Sequence, residues 1–158
     1  MRRALQNVPD CTAVNRVVMV LGICASESDH VRLRLIFNHS NWRIFVAHNC
    51  REASHFLEQH PVGVVICDGD LPDGGWRDVL SLLRNLQWSP LLIVAAPYPT
   101  DSLWAEALNL GAYDVLSKPF DAAEVLRIVS LAWLYWHEQT ATARRAAEGL
   151  NTLELPAD

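Results

Sequence analysis

Asp68 ends a solidly apolar run, residues 62–67, and begins the segment Asp68-Gly-Asp-Leu-Pro-Asp-Gly-Gly75. The segment is dense in turn-forming residues and reads as a loop. A carboxylate placed there can act as a nucleophile or as an oxygen ligand for a hard cation. Lys118 stands before Pro119, just past a further short strand-like run at 113–116. Other chemistries are poorly served. The cysteines, Cys11, Cys24, Cys50 and Cys67, lack the C-x-x-C spacing of a zinc or redox site and read as buried or incidental thiols. Gly22 stands alone, with no G-x-G-x-x-G or P-loop pattern to cradle a phosphate. No Ser/His/Asp order stands out.

The elements that must position these groups follow from periodicity. Short, mainly apolar runs at 16–23, 43–47, 62–67, 91–95 and 113–116 read as strands, those at 16–23 and 62–67 as strands buried on both faces. Helix-period segments separate them. Ser26 to Asp29 has the S-x-x-D form of a capping box before a helix carrying Val31, Leu35 and Ile36. Asn49 and Glu52 stand at N-cap and N3 of a second helix with Ala53, Phe56 and Leu57, stopped by Pro61. Val79, Leu80, Leu83 and Leu86 mark a third. Thr100 or Asp101 caps a fourth, with Leu103, Trp104, Ala107 and Leu108, ended by Gly111. Asp121 and Glu124 open a last helix expected from about 122 to about 148, with a stripe of Leu126, Val129, Trp133 and Trp136.

The order βαβαβαβαβα implies a doubly wound, five-stranded parallel sheet covered on both faces. In such sheets ligands bind beyond the carboxyl ends of the strands, at the switch in strand order. That rule points to Cys24, Ala25 and Asp68. A chain of 158 residues fits one domain with a full core. The net charge of -5 gives no basic footprint and argues against direct nucleic-acid binding. No apolar run has the length of a membrane span. Residues 1–15 carry Arg2 and Arg3 without an apolar stretch behind them and read as a flexible tail, not a signal peptide.

The sequence resembles the receiver domain of bacterial two-component response regulators. Val64-Val-Ile-Cys-Asp68-Gly-Asp-Leu-Pro72 is similar to the strand-three motif of that family, and Gly111-Ala-Tyr-Asp-Val-Leu-Ser-Lys118-Pro119-Phe120 to its strand-five motif. The resemblance covers about residues 16–136 and implies a flavodoxin-like fold. It implies that Asp68 aligns with the phosphoacceptor and Lys118 with the lysine that pairs with phosphoryl oxygens. It also implies an acidic pair after strand one holding Mg²⁺, a Ser/Thr after strand four and an aromatic on strand five.

At those last positions the sequence departs from the family. Cys24 and Ala25 replace the acidic pair, Ala95 the Ser/Thr, and Val115 the aromatic. Asp68, Asp70 and Glu27 are the carboxylates left for an alternative Mg²⁺ site. A structural Asp68–Lys118 ion pair is the competing account of those two residues. Cys24 reads as a small residue filling space where a metal would bind.

These readings define an atypical receiver domain, not an enzyme, located in the cytoplasm. It is expected to meet a histidine kinase or other signalling protein, and a second copy through the fourth helix, fifth strand and fifth helix. The expected division is a tail at 1–15, a receiver-like domain at 16–136, and a helical extension and tail at 137–158. The tail from 151 onward is expected to be disordered. A small-ligand-binding or enzymatic domain on the same scaffold is the alternative, because a fold alone does not fix function.

Overall fold

Five short strands pair in parallel, and the three central ones, rich in Val, Ile and Leu, are buried on both faces. The computed structural model describes residues 18–38 and 41–154. The tail expected at 1–15 lies outside these residues, as do 155–158 of the expected C-terminal tail.

In chain order the elements are β1 (Met19–Ile23), α1 (Glu27–Phe37), β2 (Arg43–Ala47), α2 (Cys50–Gln59) and β3 (Val64–Asp68). There follow β4 (Asp70–Leu71), β5 (Gly74–Gly75), α3 (Trp76–Arg84), β6 (Leu91–Ala96), α4 (Asp101–Leu110), β7 (Asp114–Ser117) and α5 (Ala122–Glu154). The main sheet runs β2-β1-β3-β6-β7, all parallel. This is the expected doubly wound order, with its switch between β1 and β3. The registers Ile23↔Cys67 and Asp68↔Ala95 bring the ends of β1, β3 and β6 side by side.

Two apolar layers cover the sheet. On one face Ala53 and Leu57 of α2, Val79, Leu80 and Leu83 of α3, and Ala107 of α4 bury against Leu21, Val65, Leu92 and Val115. On the other, Leu33 and Phe37 of α1 and Val125, Val129 and Ala132 of α5 bury against Val20, Ile66, Ile93 and Leu116.

The caps explain most helix limits. Asn49 Oδ1 accepts the Glu52 N–H at 2.8 Å, and Thr100 Oγ1 the Leu103 N–H at 3.1 Å. Asp121 accepts the Glu124 N–H at 2.9 Å. Gly111 ends α4 in the left-handed conformation, φ 114°, where a side chain would be strained and would strike Arg84.

Four local expectations are revised. Ser26 makes no side-chain cap to α1; its hydroxyl meets that of Ser28 instead. Val31 and Leu35 face outward, while His30, Leu33 and Phe37 turn inward with Ile36. The Asp68–Gly75 loop contains a small antiparallel pair, β4 with β5. Its two-residue strands are too short to show a periodicity. Finally, α5 continues through 151–154, the first part of the segment expected to be disordered.

At 33 residues α5 is about 50 Å long, far more than a five-residue strand needs for cover. Trp136 holds it at the amino edge of the sheet. A Cβ on Gly63 would lie 2.6 Å from the Trp136 ring, so glycine admits the indole against the chain entering β3. The indole N–H donates to the Trp88 carbonyl at 2.7 Å. From Thr142 to Gly149 the helix is exposed on every side.

Candidate functional site

Asp68 is the last residue of β3, and its side chain is 10% exposed. A carboxylate this deep must have partners. Its Oδ2 accepts the Ala25 N–H at 3.1 Å, and its Oδ1 faces Lys118 Nζ at 2.5 Å. Lys118 reaches it because the residue pairs back onto the sheet: its own N–H donates to Ala96 O at 2.9 Å, extending the β6–β7 ladder. The Lys118–Pro119 peptide is cis.

The second partner of Lys118 is Asp29. Its Oδ2 accepts from Nζ at 2.6 Å, and both side chains are largely buried. Burial would lower the lysine's pKa. Hydrogen bonds to Asp29 and Asp68, together with their charges, outweigh it and hold the ammonium above its ordinary value.

Further contacts fix the arrangement. Arg32 Nε donates to Phe120 O at 3.0 Å, tying α1 to the Lys118–Phe120 segment. His30 is fully buried, and its Nε2 lies 2.7 Å from Cys24 O. Cys24 N–H donates to Ala47 O at 3.1 Å. The backbone after β1 is thus held from both sides, which aims the Ala25 N–H at Asp68.

The structure brings Asp68 and Lys118 together, with Cys24 and Ala25 beside them. It does not bring Glu27 or Asp70 into their group. Glu27 is exposed and meets His48 at 3.5 Å and Arg34 at 4.0 Å. Asp70 is exposed on β4. Among the described residues the cluster with the spacing of metal ligands is Cys24, Asp29 and Asp68, with donor atoms within 4.8 Å of one another. Asp29 is the carboxylate that sequence reasoning assigned elsewhere, to the helix cap. The S-x-x-D pattern is satisfied by either fate, and only the fold shows that Lys118 claims it.

Mg²⁺ needs several hard oxygen donors in near-octahedral array. This set offers two carboxylates already bonded to an ammonium, and one thiol. Burial, then the Asp68 charge, push the Cys24 thiol far above its ordinary pKa, so it stays protonated. The donor set does not fit Mg²⁺.

Ala95 and Val115 are both buried, at 1% exposure each. Ala95 is the register partner of Asp68, and Val115 of Val94. Val115 lies in an apolar cluster with Ala107, and Leu103 and Trp104 pack against that cluster. Neither side chain can donate a hydrogen bond toward Asp68.

The described residues include no helix long and apolar enough to cross a membrane. A cleft of about 370 Å³ lies at the opposite edge of the sheet, between Trp88 and Ser89 and the α5 residues Trp136, Gln139 and Thr140.

Comparison with known proteins agrees with this topology. The chain is 32% identical over 124 residues to the regulatory protein AtoC of Escherichia coli, covering 77% of this chain and 26% of that protein. It is 31% identical over 112 residues to the virulence transcriptional regulatory protein PhoP of Salmonella typhimurium, covering 69% of this chain and 48% of PhoP. The chain therefore spans half or less of these curated relatives. The signal receiver domain of an HD domain-containing protein from Pseudomonas fluorescens superposes with a TM-score of 0.73 at 25% identity, covering 84% of this chain and 96% of that one. The family model of the response regulator receiver domain matches residues 28–130. Sequence and fold converge, and the chain belongs to the response regulator receiver domain family.

Proposed function

We propose that this receiver acts in two-component signalling through protein–protein contacts, with Asp68 in the phosphoacceptor position of a site that has lost its metal cradle and its switch. The observation that carries this reading is the pair of buried apolar residues Ala95 and Val115. A conformational response to a phosphoryl group needs side chains that interact differently with the two states. A methyl group and an isopropyl group supply no such difference. The contact surface is then held in one shape.

Two arginine bridges support a fixed surface. Arg77 Nε donates to Glu106 Oε2 at 2.7 Å, and Arg84 donates to the Leu110 carbonyl, so α3 grips the C-terminal half of α4. Leu108 and Leu110 of α4 and Leu131, Leu134 and Tyr135 of α5 are exposed on the elements that flank β7. Exposed apolar side chains on these two helices offer contact area to a protein partner. A histidine kinase, another cytoplasmic signalling protein or a second copy of the chain fits that role. Light scattering on the purified chain, before and after Leu134→Glu, tests self-association directly.

The test of the site is incubation with acetyl phosphate and Mg²⁺, read by intact mass. The expected result is no lasting adduct. A stable adduct lost in Asp68→Asn overturns the reading and restores a phosphorelay role.

A further inference from the structure

We infer that Lys118 is the resident cation of this site: its ammonium bridges Asp29 and Asp68 where a divalent ion would have to sit, so the chain holds no Mg²⁺ there. The inference rests on the reading of Asp68 as the receiver-site carboxylate, and it explains how that carboxylate persists without a metal.

The argument is one of available oxygen atoms. Asp68 has two. Oδ1 is 2.5 Å from Lys118 Nζ, and Oδ2 is held by the Ala25 N–H at 3.1 Å. Asp29 brings a carboxylate from the first turn of α1, and its Oδ2 is 2.6 Å from the same ammonium. A divalent ion entering here must displace a partly buried lysine from both of its acids. The further metal-ligating side chain it would meet there is the thiol of Cys24. Hard cations bind thiols poorly. The exchange removes a charge-assisted pair and returns an incomplete coordination shell.

The internal cation also carries a charge balance of its own. One ammonium faces two carboxylates, so the site keeps a net negative charge of one. Asp29 therefore acts as a positioning residue. It draws Lys118 toward α1 and competes for the charge that a bound anion on Asp68 would need.

The test is divalent-ion binding, with Mn²⁺ followed by electron paramagnetic resonance and Mg²⁺ by calorimetry. The wild-type chain is expected to show no saturable uptake in the millimolar range typical of weak sites. Lys118→Met, which frees both carboxylates, is expected to take up Mn²⁺ at least about tenfold more tightly. The double variant Lys118→Met, Asp29→Asn is expected to lose that gain. Should Lys118→Met fail to fold, the wild-type chain still decides the matter. The Lys118 ammonium resonance, assigned by its loss in Lys118→Arg, is expected to remain unmoved on adding Mg²⁺.

Saturable Mg²⁺ binding that displaces the lysine and vanishes in Asp68→Asn overturns the inference. So does a folded Lys118→Met that binds no better than wild type. These outcomes separate from the acetyl phosphate result. Mg²⁺ binding without an adduct sinks the resident-cation inference and leaves the loss of the phosphorylation response standing, whereas an adduct without Mg²⁺ binding overturns that loss and leaves the inference standing.

Discussion

Asp29 and Lys118 are 89 positions apart in sequence and meet at 2.6 Å across the open end of the sheet. Lys118 turns one flank of its ammonium to Asp29 and another to Asp68. The three groups come from α1, β3 and the turn after β7, so this small cluster ties three elements that share no local sequence.

Breaking the cluster from its two sides should have unequal costs. Asp29→Asn keeps the volume and leaves Lys118 paired with Asp68, so it is expected to cost about 1–2 kcal/mol. Lys118→Met leaves two carboxylates facing each other without a cation, and about 3–5 kcal/mol is expected. Urea unfolding at neutral pH compares them. Equal losses would show that the lysine is not the centre of the cluster.

The base of α5 offers a sharper packing test. Gly63→Ala places a methyl group 2.6 Å from the Trp136 ring. Overpacking of this kind is expected to cost about 1–3 kcal/mol. Trp136→Ala is expected to cost about 3 kcal/mol on its own, with the loss of the bond to Trp88 O. In the Trp136→Ala background, Gly63→Ala should cost almost nothing. A double-mutant cycle by denaturant unfolding measures the coupling, and additivity of the two losses would rule the contact out.

Much of this molecule was legible from spacing. The runs that became β1, β3 and β6 are almost wholly apolar because a strand buried on both faces has little room for a polar residue, while the edge strands β2 and β7 carry Arg43 and Asp114. Asn49, Thr100 and Asp121 were legible as caps because their offsets are local. Asp68 and Lys118 were legible because each sits at a strand end that the sheet order brings together. Asp29 was not. Its spacing from Ser26 serves a capping box equally well, and nothing in the linear pattern weighs that bond against a lysine 89 residues away. Glu27 lost for a related reason: its neighbours Arg34 and His48 hold it on the outer side of the helix start. His30 was invisible too, since a buried imidazole replaces one of the apolar residues that mark a helix face.

Restoring an aromatic at the switch position should be costly in this core. Val115 is 1% exposed and belongs to an apolar cluster capped by Leu103 and Trp104. Val115→Tyr must either overpack that cluster or turn outward past β7. The inward outcome is expected to cost about 1–3 kcal/mol, with a buried hydroxyl adding to the penalty. Thermal unfolding checks the loss. An unchanged stability would show that the ring finds an outward position, and that the site retains the space for a switch.

His30 should give the domain an acid sensitivity of defined sign. Its Nε2 lies 2.7 Å from Cys24 O, and its Nδ1 is buried without a hydrogen-bond partner among the described residues. Burial holds the imidazole below its ordinary 6.5, against the opposing pull of the Cys24 carbonyl. His48 packs edge-on at 4.8 Å and adds to the lowering when charged, as does Arg34 more weakly, while Glu27 opposes it. The unfolded chain therefore takes up a proton at a higher pH than the native one. Stability supplied by the neutral ring is present above the ordinary value and is lost as pH falls below it toward the lowered one. His48 has the opposite sign: Glu52 and then Glu27 raise it, but it is exposed and screened, so its contribution is small. His30→Phe keeps a ring in the core and removes the titration. It is expected to be less stable than wild type near neutral pH, where it lacks the bond to Cys24 O. The gap should narrow as pH falls from about 7 to about 5.5. Unfolding free energies of the two proteins across that range decide the point, and a gap that stays constant would exclude His30 as the titrating group.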